Sequence, residues 1–315
     1  MSGLSARFVW RLRTAPAAEP AFLAAGAGRG LSHRLLTILA ARGHADPAAL
    51  TAFLDTPQAG LHDPLLLPDA DAFRDRVRAA VARSEKVLVF GDFDADGLTG
   101  LAILLLTLRQ LGLDVRPYVP DRATEGHGLQ PASLRHAAAE RRTLLVTVDC
   151  GTSNRAEIDA ARAMGIDVLV TDHHQLTAPL PSALAVVNPR RPDSRYPEDR
   201  LAGSGVAFKL AQLLLGPDAL DLADLAAIGT VADVAVVAGE NRAIVRLGLE
   251  RLRNAPRPGL AALMERAGIN AARLDLDGIA YALAPRLNAV GRVGDALRAA
   301  ELLLADDARE AATLA

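Results

Sequence analysis

An apolar run leads into three aspartates at alternate positions in Val87-Leu88-Val89-Phe90-Gly91-Asp92-Phe93-Asp94-Ala95-Asp96-Gly97-Leu98-Thr99-Gly100. The apolar run predicts a buried strand, and the residues from Leu98 onward predict a long helix. Three carboxylates this close repel one another unless a cation lies between them, and carboxylate oxygens are the preferred ligands of hard divalent metals. The alternative is a solvated acidic turn that caps the helix. This stretch alone leaves both interpretations open.

The residues that follow alternate between strand and helix patterns. Strands are predicted at Val87–Phe90, Asp114–Val119, Leu144–Val148, Val168–Val170 and Ala185–Val187, and helices at Leu98–Leu111, Pro131–Glu140, Asn154–Met164 and Val206–Leu214. Continuous apolar strands separated by helices indicate a parallel β-sheet flanked by helices, an α/β fold. After Leu222 the pattern is almost purely helical.

The patterns also predict a domain organisation. Residues 1–75 are expected to form a helical and loop extension packed on the core, irregular up to about residue 30, with short helices at His33–Arg42 and Pro47–Leu54. Residues 76–240 form the α/β domain, and residues 241–315 form a helical segment leading to a connecting helix. The final residues follow a helical pattern without a stop signal, so we expect the natural protein to continue beyond Ala315.

Composition narrows the class of protein. The chain has 315 residues, half of them hydrophobic, and a formal net charge of −2, which argues against bulk non-specific nucleic-acid binding but leaves room for a local basic groove. Its one cysteine, Cys150, excludes an intramolecular disulfide and predicts a reducing compartment. We find no secretory h-region and no apolar run long enough to span a bilayer, so a cytoplasmic protein is expected.

Further acidic and imidazole side chains fall at the ends of other predicted strands. Asp149 ends one strand, Asp172-His173-His174 ends the next, and Asp233 lies in the apolar segment Ile228–Ala235. Ligand sites in open parallel sheets lie at the carboxyl ends of strands, so these groups are expected to share one edge with the three aspartates. Carboxylates with imidazoles suit Mn²⁺ or Mg²⁺, and so many anionic ligands would compensate two cations better than one.

The order of these motifs resembles that of the DHH phosphoesterase superfamily. The residues that carry the resemblance are Asp94-Ala-Asp96-Gly97, Asp149, Asp172-His173-His174 and Asp233. Segments similar to the RecJ-type exonuclease family within it are Trp10–Arg13, Leu61–Asp69, Gly91–Gly100, Val148–Ser153, Leu201–Phe208, Gly229–Val234 and Pro285–Arg292. The resemblance implies a catalytic domain with two Mn²⁺ or Mg²⁺ ions. Such a domain degrades single-stranded DNA from the 5′ end to mononucleotides, in DNA repair and recombination.

The resemblance also implies roles for individual residues. The implied metal ligands are Asp94, Asp96, Asp149, His173 and Asp233, with Asp92 as a further ligand or a partner beside the ligands. His174 would contact the scissile phosphate or donate a proton to the leaving oxygen, and Asp172 would orient the histidines. Implied contacts to DNA or phosphate are Arg122 in the loop Arg122–Gly128, the amides of Gly203, Ser204 and Gly205, and Arg286, Asn288 and Arg292. The alternatives are an ordinary turn at Arg122–Gly128 and packing glycines at Gly203 and Gly205.

The expected partner is single-stranded DNA, with a single-strand-binding protein or a helicase as a further partner, and the protein is expected to be a monomer. The DHH-associated and oligonucleotide-binding domains of RecJ-type proteins have no counterpart in this chain. We therefore expect metal binding, but not processive degradation, from this chain alone. The alternatives are a DHH phosphodiesterase of short oligonucleotides or cyclic dinucleotides, and a non-catalytic replication scaffold of the Cdc45 type. The filled ligand positions disfavour the scaffold.

Overall fold

A computed structural model describes residues 18–122, 124–176, 179–293 and 296–315, with the backbone alone for residues 292 and 293. The segment Trp10–Arg13 therefore lies outside the described residues. The chain divides into two compact units, one ending at Gly60 and the other spanning Leu61–Ala315. The boundaries expected from the sequence, after residues 75 and 240, stay predictions.

The first unit contains three helices, α1 (Pro20–Gly28), α2 (His33–Ala41) and α3 (Pro47–Leu54). Phe22, Leu36 and Leu50 bury their side chains against one another in its core. The carboxylate of Asp46 accepts a hydrogen bond from the main-chain N–H of Ala49 (2.8 Å) and caps α3. The prediction that the chain is irregular up to residue 30 was wrong for residues 20–28, because Pro20 starts an alanine-rich helix there.

The second unit is built on a five-stranded parallel sheet. The strands are β1 (Lys86–Gly91), β2 (Asp114–Tyr118), β3 (Leu144–Val148), β4 (Asp167–Thr171) and β5 (Ala185–Val187). They lie in the order β2-β1-β3-β4-β5 and every neighbouring pair is parallel. The predicted α/β fold with a parallel sheet is confirmed.

Helices cover both faces of this sheet, because alternate strand residues are apolar on both sides. Val87 and Val89 of β1 belong to a core shared with α4 (Ala70–Ala82), α5 (Ala95–Gln110) and α8 (Gly203–Leu215). Leu88 and Phe90 point to the opposite face, where they pack with α6 (Pro131–Ala139) and α7 (Arg155–Ala163).

The remainder of the second unit is helical. Its helices are α9 (Ala223–Ala232), α10 (Gly239–Asn254), α11 (Pro258–Arg266), α12 (Leu276–Gly278), α13 (Ala284–Val293), α14 (Ala296–Leu304) and α15 (Ala308–Leu314). A π-helical turn, Ile279–Leu283, joins α12 directly to α13. The sequence patterns predicted a helical segment over residues 241–315 but delimited no individual helix between residues 276 and 293. Among the described residues, no helix is long and apolar enough to cross a membrane.

A buried ion pair ties the loop before α4 to two helices. The Lys209 ammonium of α8 lies 2.9 Å from Oε1 of Glu240 in α10, and both side chains are fully buried. Lys209 also donates to the main-chain oxygen of His62 (2.6 Å), while the N–H of His62 donates to Glu240 (2.9 Å). The hydroxyl of Tyr196 donates to the other Glu240 oxygen (2.6 Å). Both buried charges are thus paired and hydrogen-bonded.

Candidate metal centre and active site

Three strand ends and one helix end bring the predicted site residues together. Asp92, Asp94 and Asp96 follow β1, and Asp149 follows β3. Asp172, His173 and His174 follow β4, and Asp233 follows α9. β1 pairs with β2 on one side and with β3 on the other. The crevice beyond the carboxyl ends of β1 and β3 is therefore the switch point at which open parallel sheets bind ligands.

Asp96 is held by the first turn of α8. Its Oδ2 accepts a hydrogen bond from the N–H of Gly203 (2.7 Å) and its Oδ1 accepts one from Ser204 (2.9 Å). The free N–H groups and the dipole of the helix end thus bind the protein's own carboxylate. The prediction that the amides of Gly203, Ser204 and Gly205 bind a phosphate is not supported by this geometry. Two of the amides already have an acceptor, and all three residues are buried.

Asp149 and His173 form the centre of the site. Asp149 has a left-handed backbone (φ 60°), which turns its side chain toward the histidine, and its Oδ1 lies 3.0 Å from Nε2 of His173. Both side chains are buried, yet Oδ1 of Asp149 and Nδ1 of His173 have no hydrogen-bond partner among the described residues. Buried polar atoms are nearly always satisfied, so these atoms have the environment expected of metal ligands.

Two overlapping groups of ligand atoms meet at His173. One contains Asp149, His173 and His174, the other contains Asp96, His173 and Asp233, and in each group the atoms lie within 4.8 Å of one another. Oδ2 of Asp233 lies 3.8 Å from Nδ1 of His173. Carboxylate oxygens and imidazole nitrogens are a ligand set that suits Mn²⁺ or Mg²⁺. The residues present therefore fit a divalent metal centre.

Asp94 and Asp92 lie beside these two groups. Asp94 caps α5, with its Oδ1 accepting from the N–H of Gly97 (2.9 Å). Asp92 accepts from the N–H of Phe93 (2.8 Å), and its Oδ2 lies 3.0 Å from Nδ1 of His127. Sequence reasoning did not name His127 as a site residue. The signal available was its position in the loop Arg122–Gly128, which was expected near the active site.

Asp172 orients the residues that follow it. Its Oδ1 accepts from the main-chain N–H groups of His173 (2.7 Å) and His174 (3.1 Å) and lies 2.8 Å from Nδ1 of His174. Its Oδ2 accepts from the N–H of Thr152 (3.0 Å). The imidazole of His174 is largely exposed to solvent, with its Nδ1 held by Asp172 and its Nε2 left for other contacts.

Asn188 is a second site residue that the sequence did not reveal. It follows β5 and is fully buried, and its amide donates to the main-chain oxygen of His174 (2.9 Å) and to Oγ1 of Thr152 (3.3 Å). Its Oδ1 accepts from the N–H of Arg190 (2.8 Å). A buried asparagine after a three-residue strand has no distinctive sequence pattern, and its role depends on the fold.

Of the three arginines predicted to contact DNA, Arg122 and Arg286 are exposed to solvent. Arg122 is exposed and its guanidinium lies 5.0 Å from the centroid of the Phe93 ring. Arg286 is exposed and donates to the main-chain oxygen of Ala282 (2.8 Å). The side chain of Arg292 lies outside the described residues. Asn288 of α13 accepts from the N–H of Ala95 (2.7 Å), so it positions the start of α5.

Crowding of negative charge perturbs the acid–base chemistry of the centre. Burial, reinforced by the carboxylates of Asp96 and Asp94, raises the pKa of Asp149 well above its usual range and raises that of Asp233 to about 6. Burial alone would raise the pKa of Asp172. The hydrogen bonds that Asp172 accepts from His174, together with the charge of that histidine, outweigh burial and lower this pKa to about 2. The Asp172 hydrogen bond raises the pKa of His174. Such opposed shifts among neighbouring groups are typical of functional sites.

These shifts predict how stability depends on pH in the presence of a chelator. Asp233 has an unfolded pKa of about 3.9 and a folded pKa of about 6, so its stabilising contribution is complete below pH 4 and is lost as the pH rises through 6. The unfolding temperature should therefore be higher at pH 5.5 than at pH 7.5, by up to about 2 °C because solvent screens the partly exposed carboxylate. Differential scanning calorimetry measures it. Asp233→Asn should shrink the difference, and a lower unfolding temperature at pH 5.5 would contradict the prediction.

Gly203 provides a second test, because a Cβ there would lie 2.7 Å from Cβ of Asp149 and 2.8 Å from its Oδ1. Gly203→Ala should displace this candidate ligand and lower Mn²⁺-dependent hydrolysis about 10²-fold, since catalytic geometry tolerates little misplacement. Gly205→Ala is the matched control. Its Cβ would meet nothing closer than Leu201 at 3.5 Å, so its activity should stay at the parent level. Equal activities of the two variants would exclude this steric requirement.

Comparison with known proteins agrees with the fold. The family described as the DHH family, N-terminal domain, matches residues 86–230, which contain the sheet and most of the candidate ligands. These residues are therefore a DHH-family domain. The chain is 41% identical over 279 residues to the single-stranded-DNA-specific exonuclease RecJ of Bacillus subtilis, covering 89% of this chain and 36% of that protein. It is also 41% identical to RecJ of Escherichia coli, covering 75% of this chain and 44% of that protein.

The resemblance to the RecJ-type family is confirmed, and the chain spans about a third to a half of the length of these relatives.

Solved structures give the same relationship. A crystal structure of exonuclease RecJ bound to manganese matches with a TM-score of 0.72 and 41% identity, covering 79% of this chain and 64% of that one. RecJ of Thermus thermophilus in complex with Mn²⁺ matches with a TM-score of 0.67 and 40% identity, covering 78% of this chain and 36% of that one. The same protein has also been solved with Mg²⁺.

Proposed function

We propose that this chain is the catalytic part of a metal-dependent phosphodiesterase, a 5′-to-3′ exonuclease that degrades single-stranded DNA to mononucleotides in DNA repair and recombination. The observation that carries the proposal is the convergence of candidate ligand atoms on His173; two of these atoms are buried and lack a hydrogen-bond partner among the described residues. It is supported by the names and metal content of the RecJ proteins to which the chain is similar.

The proposed ligands of two divalent ions, Mn²⁺ or Mg²⁺, are Asp94, Asp96, Asp149, His173 and Asp233. When bound, such a pair of ions neutralises the charge that develops on a phosphodiester and activates the attacking water. Asp96 is fixed by α8 and Asp149 by its backbone turn, so these ligands need little rearrangement. The pairing of Asp92 with His127 favours a supporting role for this carboxylate over direct ligation.

His174 is the proposed proton donor to the leaving oxygen. The pKa of Asp172, held at about 2, keeps that carboxylate ionised at neutral pH, so it accepts a hydrogen bond from Nδ1–H of His174. The proton on the exposed Nε2 is then the one that can be transferred to the leaving oxygen. Asp172 is accordingly a positioning residue. Its replacement should disturb the pH profile of the reaction more than the affinity for substrate.

Arg122, Arg286 and Arg292 are the proposed contacts to the phosphates of the strand, because arginine forms bidentate bonds with phosphate. A single-strand-binding protein or a helicase as partner, a monomeric state and a cytoplasmic location remain proposals based on the same resemblance. So do the domain boundaries after residues 75 and 240.

Substrate preference tests the proposed function. The protein, with Mn²⁺, is incubated with a 5′-labelled single strand, the matching duplex and a dinucleotide, and products are separated on a denaturing gel. We expect mononucleotides from the 5′ end of the single strand, and at least tenfold slower cleavage of the duplex. Preference for the dinucleotide would indicate a phosphodiesterase of short oligonucleotides instead. No hydrolysis of any substrate would indicate a non-catalytic protein.

A further inference from the structure

A polar cavity adjoins the segment that carries His174. It has a volume of about 860 Å³ and is open to solvent. Gln175 and Leu176, which directly follow His174, form one wall, and the loop of residues 189–200 forms the other. Ligand pockets in proteins measure about 300–1,000 Å³, so the cavity has room for a nucleotide.

The loop wall is fixed to the active-site histidine through Asn188. The Asn188 amide donates to the main-chain oxygen of His174, and its Oδ1 accepts from the N–H of Arg190. The buried Asn188 side chain therefore links the main chain of His174, the candidate proton donor, to the main chain of Arg190 in the cavity wall. The cavity is therefore held beside the main chain of His174.

Arg190 differs from the two other arginines that line the cavity. Arg191 is committed to the carboxylates of Asp69 and Asp193, and Arg200 is committed to Glu198. Within the described ranges, the half-buried Arg190 has no carboxylate partner. Its Nε donates to the main-chain oxygen of Asp199 (3.2 Å) and its terminal nitrogens stay available. Among the described residues, Arg190 is thus the arginine of this cavity without a carboxylate partner, while Asp199, which also lines the cavity, lies 3.8 Å from Arg200.

We infer that this cavity binds the nucleotide next to the scissile phosphodiester, with the Arg190 guanidinium on its phosphate. Planar guanidinium groups form charge-assisted, bidentate bonds with phosphate oxygens, and the half-buried position strengthens them. Gln175 and Ser194 offer hydrogen bonds that do not depend on one particular base. The inference rests on the proposed function, because it assigns the cavity a part of the same strand.

The test compares Arg190→Gln with Arg195→Gln, a matched variant at an exposed arginine of the same loop that does not line the cavity. Steady-state kinetics are measured with Mn²⁺ on oligothymidylates of increasing length and on bis(4-nitrophenyl) phosphate, which has no neighbouring nucleotide. For Arg190→Gln we expect KM on the longer strands to rise about tenfold with kcat within twofold, as for lost uniform binding. The loss in kcat/KM on the small diester should be at least fivefold smaller.

Salt dependence provides an independent readout. The slope of log(kcat/KM) against log[salt] is negative, and removing one phosphate contact to a single strand should make it less steep by about 0.7. Arg190→Lys should recover part of the affinity, and Arg195→Gln should match the parent protein. Equal kinetics of Arg190→Gln and parent on every strand, or equal losses in both glutamine variants, would overturn the inference but leave the proposed function standing. If the parent protein hydrolyses neither strands nor the small diester, the proposed function itself fails.

Discussion

Asp149→Asn should lower kcat/KM for Mn²⁺-dependent hydrolysis of single-stranded DNA by about 10³-fold or more, about 4 kcal/mol in the barrier. The amide keeps the shape of the carboxylate but removes its negative charge from the group of ligand atoms formed with His173 and His174. In the presence of a chelator, the unfolding temperature should be unchanged or higher. The raised pKa of Asp149 means that its charged form opposes folding at neutral pH.

Metal-induced stabilisation separates this effect from simple misfolding. The parent protein should unfold at a higher temperature with Mn²⁺ than with chelator, because the ion binds the folded state. Asp149→Asn and His173→Ala should both lose most of that increase. Asp159→Asn, at an exposed position of α7, is the matched control and should keep both activity and stabilisation. Full activity in Asp149→Asn would reject the ligand assignment.

Lys209→Met should have the largest effect on stability, a loss of about 3–5 kcal/mol in the free energy of unfolding. The substitution leaves the Glu240 carboxylate fully buried, and among the described residues its remaining hydrogen-bond donors are the hydroxyl of Tyr196 and the N–H of His62. Urea unfolding, followed by circular dichroism, measures the change. The loop containing His62 should also become more accessible to protease, because Lys209 holds its main-chain oxygen.

Two further variants distinguish an unpaired buried charge from lost packing. The double variant Lys209→Met/Glu240→Leu should recover at least half of the loss, since neither charge is then buried alone. Asp221→Asn breaks the exposed pair with Arg251 and should change stability by less than about 1 kcal/mol. A Lys209→Met protein as stable as Asp221→Asn would show that the buried pair contributes nothing.

The parallel sheet and the strand-end positions of its acidic residues were predictable because both depend on local patterns. Each strand, such as Leu144–Val148, is a short apolar run, and the residue after it must emerge at the carboxyl edge. Placing Asp149 and His173 at one edge therefore required no knowledge of contacts. Their assignment as metal ligands remains a prediction, although their 3.0 Å approach fits it.

The start of α8 was not predictable in the same way. The sequence placed it at Val206, and the structure begins it at Gly203, because the Asp96 carboxylate from another element satisfies its first N–H groups. The main-chain N–H groups of glycine and serine at the start of a helix can bind an anion. The sequence does not show whether that anion is a bound ligand or a carboxylate of the protein itself.

The contacts of Asn188 and His127 were likewise hidden, since each is defined by residues far along the chain. No individual helix was delimited in the helical stretch of residues 276–293, for a local reason. Gly278 and Pro285 interrupt its pattern, and a π-helical turn shifts the period of its apolar residues. Propensity and periodicity therefore both weaken where this helix forms.

The contact between Asp96 and α8 has a consequence for how this site can vary among related chains. The same carboxylate closes the packing of α5, α8 and α9, since a Cβ at Gly229 would approach Asp96, Ser204 and Thr99 within 2.6 Å. A substitution that removes the charge also removes a structural hydrogen-bond acceptor from the interior. A related chain that replaced Asp96, and so lost a candidate metal ligand, would therefore also need compensating substitutions in α5, α8 and α9. We therefore expect Asp96 to be retained or lost together with the residues that pack around it.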